Sequence, residues 1–186
     1  MYLQKTNTSM IILKLDTISS HIQGITTPFW AYMAECAAVC FHSQGHKSGI
    51  KLPFSNGETI ENSLVEWTIE VTDKMMSSYF DEKRTTDFGA MGVSILLASN
   101  LTDYTHFSTS ETNNGFDFWL TKSDDDLNFI SARLEISGIR KETKQNTVKS
   151  RLKIKEKQIL KSANSRSICY VSIIEFSKPE AKFIQK

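Results

Sequence analysis

Two carboxylates in the C-terminal half stand where they could share a cation. Asp117 lies in Gly115-Phe116-Asp117-Phe118-Trp119 and Glu135 in Ala132-Arg133-Leu134-Glu135-Ile136-Ser137-Gly138. Both stretches alternate in the manner of strands. Paired as a hairpin, they make the two acids cross-strand neighbours on one face, about 5 Å apart at Cβ. Oxygen donors at that spacing suit a shared divalent cation. A plainer arrangement is open to the same residues, with Asp117 paired to Arg133 and Glu135 to a lysine of the following helix. Exposed pairs of that kind contribute about 0–1 kcal/mol.

Basic residues gather just downstream. Residues 1–139 hold 9 basic and 17 acidic side chains, a net of −8, whereas residues 140–166 hold 10 basic and 2 acidic, a net of +8. The overall +1 therefore conceals a segregation of charge. Arg140, Lys141, Lys149, Arg151, Lys153 and Lys157 could neutralise phosphates, releasing counterions and adding affinity for DNA or RNA. A solvated helix face would carry the same charges.

Cys36, Cys40, His42 and His46 form a C-x3-C-x-H-x3-H run. If residues 30–41 are helical, these side chains crowd into three turns and do not converge on one tetrahedral ion, and the spacing matches no standard zinc pattern. Three cysteines, an odd number, fit a reduced, cytoplasmic location. The apolar stretch 9–15 is broken by Lys14 and is too short to cross a bilayer, so no membrane partner is expected. Asp124-Asp125-Asp126 lacks the glycine and the terminal glutamate of a calcium loop.

The elements that must position these groups follow from periodicity. Residues 9–17 read as a first strand, and Thr27 with Pro28 starts a helix through Trp30, Met33 and Ala37. Residues 50–54 form a short strand before a turn at 55–58, and Val65, Trp67, Ile69 and Val71 alternate with polar residues as a further strand. Thr72 and Asp73 cap a helix; from there to Leu101 the pattern allows one long helix or two, broken near Thr85-Thr86. Strands are expected at 104–109, 116–120 and 129–136, the last terminated by Gly138. Residues 147–160 are a lysine-rich helix with Val148, Leu152 and Ile159 on its apolar stripe, and residues 168–176 a buried strand. With 186 residues, 40% hydrophobic, 8 Gly and 3 Pro, the chain is a globular α/β protein. One domain over 1–186 is expected, with residues 1–72 a strand-helix-hairpin extension packed on a core of 73–186.

From Asp87 onward the order is helix, three strands, basic helix, strand, which resembles the restriction-endonuclease-like core of PD-(D/E)XK proteins. The stretch 86–176 also resembles a family of small prokaryotic proteins that carries no assigned activity. The first resemblance implies a metal-dependent nuclease or a nucleic-acid-binding relative of one. In it Asp117 and Glu135 bind Mg2+ and Asp87 assists from the start of the first helix, and the ion polarises the scissile phosphate and helps make hydroxide from water. The pattern is broken at one position: the residue two after the third-strand acid should be lysine and is Ser137. Lys153, Lys155 or Lys157 could replace it from the basic helix, Lys153 and Lys155 being the catalytic candidates. The alternative is a non-catalytic accessory or immunity-type subunit that acts through a protein partner or as a homodimer.

Overall fold

The computed structural model describes residues 10–57, 59–111, 114–122, 132–161 and 167–186. The Asp124–Asp126 run, residues 129–131 of the expected third core strand, and Glu58 of the first turn lie outside them. Twelve elements follow one another among the described residues: β1 (Ile11–Lys14), α1 (Thr27–Ser43), β2 (Ile50–Asn56), β3 (Thr59–Glu66), α2 (Asp73–Ser78), α3 (Glu82–Leu101), β4 (His106–Thr109), β5 (Phe118–Thr121), β6 (Ala132–Ile139), α4 (Val148–Lys161), β7 (Ile168–Glu175) and β8 (Glu180–Gln185).

The strands make one mixed sheet in the order β1-β3-β2-β8-β7-β6-β5-β4. β4 pairs antiparallel with β5 and β5 antiparallel with β6, whereas β6 lies parallel to β7 across the α4 crossover. No element was legible in the sequence beyond Phe176, yet β8 alternates, with Ala181 and Phe183 fully buried, and joins the two halves of the sheet. It pairs antiparallel with β7 on one side and parallel with β2 on the other.

The sequence expects a strand running through Val71, but β3 ends at Glu66. The Asp16 carboxylate takes the backbone N–H groups of Thr68 (2.8 and 2.9 Å) and Ile69 (3.2 Å), donors that would otherwise serve a continuing ladder. The region 73–101 holds two helices rather than one, and the break is earlier than Thr85-Thr86. Thr72 caps α2 by accepting from Met75 N, and Asp81 caps α3 by accepting from Arg84 N. Thr85 and Thr86 are inside α3, and Asp87 stands in its second turn rather than at its start.

β6 is buried along its whole length, so it must be covered on both faces. Leu134 and Ile136 join the core beneath α1 and α3. Ile139, with Val171 and Ile173 of β7, instead packs against Val148, Leu152 and Ile159 of α4. Gly138 does not terminate β6. A Cβ there would lie 2.6 Å from the carbonyl oxygen of Thr86, so the residue lets α3 descend onto the strand. α3 meets α1 in the same way, since a Cβ at Gly89 would come within 3.0 Å of Ala37 N. Two covered faces therefore bring α3 and α4 to the same end of β6, where the acidic residues are.

Candidate active site

The register of the β5–β6 hairpin pairs Phe118 with Leu134 and Trp119 with Arg133. Continued by one residue, it sets Asp117 opposite Glu135. Asp117 has already left the strand there. Its N–H donates to Leu134 O (3.0 Å), and its side-chain Oδ2 turns inward to accept from Ile136 N at 2.7 Å. The carboxylate thus takes the Ile136 N–H in place of a β5 backbone carbonyl. Arg133 lies over the Phe116 ring, 5.6 Å from its centroid.

Glu135 is 3% exposed and faces α4. Its carboxylate accepts a short hydrogen bond from Lys155 Nζ. Among the three candidate lysines, Lys155 alone is turned inward, its side chain 17% exposed; Lys153 and Lys157 are exposed. Sequence reasoning left this choice open, although a signal was present. Val148, Leu152 and Ile159 mark positions i, i+4 and i+11 of the apolar stripe, and the i+7 slot between them is Lys155.

Burial pushes the Glu135 carboxyl up to about 7, the Asp117 charge adds to the rise, and Lys155 opposes it. Asp117 is raised by burial as well, opposed by the Ile136 N–H and by Lys155, with the Asp87 charge adding to the rise. The Asp117 charge thus disfavours ionised Glu135, and the two carboxyls form an all-oxygen donor pair whose repulsion a divalent cation would relieve. Asp87 is exposed at the rim. It lines a recess of about 270 Å³ with Asp117, Lys83, Arg151 and Lys155. No three His, Cys, Asp or Glu side chains among the described residues stand close enough to hold one ion. Asp117 and Glu135 therefore make a pair, and Asp87 is an outer acid beside it.

α4 carries two rows of positive charge. Arg151 and Lys155, four apart, line the recess beside Asp87 and Asp117, and Lys149, Lys153 and Lys157, again at spacing four, are exposed. Lys141 is exposed before the helix. Arg140 is drawn elsewhere, its Nη1 donating to Cys40 Sγ at 2.8 Å, and so it does not join the α4 rows. The remaining members of the cysteine-histidine run diverge. Cys40 also donates to Thr85 O (3.6 Å), and His46 Nε2 bonds Ser177 O (3.0 Å).

A wider cleft of about 940 Å³ adjoins the recess, sharing Met91, Asp117 and Lys155 with it. Asp117, Glu135, Lys155 and Gln158 line it together with Phe29, Phe88, Met91 and Phe116. Comparison of the chain with protein-family models, with curated proteins and with solved structures finds no match in any of the three. No helix among the described residues is long and apolar enough to cross a membrane.

Proposed function

We propose that the protein is a divalent-metal-dependent phosphodiesterase acting on nucleic acid, built on a restriction-endonuclease-like core of α3, β4, β5, β6, α4 and β7. The observation that carries this reading is the Glu135–Lys155 contact beside Asp117. It supplies from α4 the cation that Ser137 cannot supply from β6. The donor set fits Mg2+, which binds through one or two carboxylates and keeps its remaining positions for water and substrate phosphate.

Asp117 and Glu135 would hold the ion, whose chemistry is to polarise the scissile phosphate and lower the pKa of an attacking water. The Ile136 N–H fixes one Asp117 oxygen and leaves the other to ligate. Lys155 Nζ neutralises Glu135 while no cation is present. Once the charge of Glu135 is compensated, Lys155 is free to hold the attacking water or a phosphate oxygen as negative charge builds there. Arg151 beside it, and the outer lysine row, supply the grip on the nucleic-acid backbone.

The test is cleavage of single- and double-stranded DNA and RNA with Mg2+ or Mn2+ by wild type, Asp117→Ala and Glu135→Ala. Metal-dependent cleavage lost in both variants supports the reading. No cleavage by wild type, or cleavage unchanged in both variants, overturns it in favour of a non-catalytic binding subunit.

A further inference from the structure

The larger cleft joins two chemistries that a backbone-cutting site alone does not need. Asp117, Glu135 and Lys155 line it together with the half-buried rings of Phe29, Phe88 and Phe116, and with Met91. Phe29 and Phe88 meet edge to face with centroids 6.1 Å apart, Tyr32 also packs on Phe88 at 4.9 Å, and Phe116 is held by Trp119 edge to face at 4.3 Å and by the Arg133 guanidinium 5.6 Å from its centroid. Phe118, by contrast, is 1% exposed and belongs to the core. Asn114 and Gln158 add amide groups, which can donate to and accept from base edges, at the same cleft. Its volume, about 940 Å³, lies within the range of about 300–1,000 Å³ typical of pockets that enclose small molecules.

Held-in-place aromatic rings beside a phosphate-cleaving centre are what an unstacked base meets. Inside a duplex the base faces are covered by their neighbours, and only a single-stranded or extruded nucleotide can lay a face on a ring. We infer that this cleft receives the unpaired base of a single-stranded nucleic acid. This deepens the phosphodiesterase reading and rests on it for the role of Asp117 and Glu135. The exposed row Lys149, Lys153 and Lys157 on the same helix as Lys155 then tracks the flanking phosphates.

Binding tests this apart from cleavage. Glu135→Gln protein in chelator would be titrated by fluorescence anisotropy with oligothymidylate, oligouridylate, a DNA duplex, an RNA duplex and an abasic oligodeoxynucleotide, all of one length. The single strands should bind more tightly than the duplexes. The abasic strand should bind about 5- to 150-fold more weakly than oligothymidylate, the loss expected when one base stack is removed. Adding Phe116→Leu should weaken oligothymidylate and leave the abasic strand unchanged. The DNA and RNA arms report any preference for the sugar. Duplex binding as tight as single-strand binding, or an abasic strand bound as tightly as oligothymidylate, would overturn the inference. A protein that shows base-dependent single-strand binding but never cleaves keeps this inference and loses the phosphodiesterase; one that cleaves duplex in preference to single strands does the reverse.

Discussion

At the scale of single residues the centre is decided by which charges are buried together. Glu135 carries the sharpest consequence. Its folded-state pKa of about 7 lies above the ordinary 4.5, so the native state binds the proton more readily than the unfolded chain. The stability this contributes is complete below about pH 4.5 and is lost as pH rises through about 7. Glu135→Gln, whose amide oxygen still accepts from Lys155, should therefore unfold later than wild type at pH 8 in metal-free urea titrations, and the difference should vanish near pH 4. Lys155 makes the companion prediction. Lys155→Met should lower metal-dependent cleavage by about 10²–10⁴-fold, the usual loss when a group positioned for proton transfer or charge stabilisation is removed. Lys153→Met and Lys157→Met should stay within a few-fold, because both side chains lie on the exposed row. Much of this was readable beforehand. The pairing of Asp117 with Glu135 follows from strand alternation, and the identity of the inward lysine follows from its place in the apolar stripe. The sequence could not show that Asp117 leaves the strand to take the Ile136 N–H, because that depends on where two strands part in space.

At the scale of elements, glycine spacing and caps set how closely the helices approach the sheet. Gly138 was expected to end a strand, since glycine is poor in strand interiors. It sits inside β6 because Thr86 of α3 comes too close for any side chain, a contact between residues 52 positions apart that periodicity cannot reveal. Gly138→Ala would force its Cβ against backbone, which cannot swing aside, and should destabilise the protein by about 1–3 kcal/mol in chemical denaturation. Because Asp87 rides on α3 and Asp117 and Glu135 on or beside the hairpin below it, the same variant should weaken cleavage more than its stability loss explains when assayed well below its melting temperature. The helix break behaved differently. Thr72 and Asp81 are both ordinary capping residues, but the capping pattern alone did not single out Asp81. The end of β3 depended on Asp16, roughly 50 residues away in sequence, and so lay outside any local pattern.

At the scale of the whole molecule, the eight strands form one sheet, and β8 ties the N-terminal hairpin to the half of the sheet that bears the acids. Charges that are segregated along the sequence meet in space. Asp87 and Asp117 line the recess together with Lys83, Arg151 and Lys155, and Lys149, Lys153 and Lys157 stand exposed on the same helix as the last two. Replacing the outer three by Gln should weaken nucleic-acid binding at low salt and reduce the slope of log K against log salt by about 2 for single strands, at roughly 0.7 per phosphate contact. Thermal stability should scarcely change, since exposed charges contribute little. The near-neutral total charge gave no hint of this; position along the chain did.

The claim on which the rest depends is that Asp117 and Glu135 share one divalent cation. Titration of Mn2+ into the metal-free protein at pH 8, with free Mn2+ followed by electron paramagnetic resonance, addresses it without reference to any substrate. Wild type should bind one ion per chain with saturation, and Asp117→Asn and Glu135→Gln should each lose saturable binding while remaining folded. Absence of saturable binding by wild type, or binding unaltered by either substitution, would contradict the account.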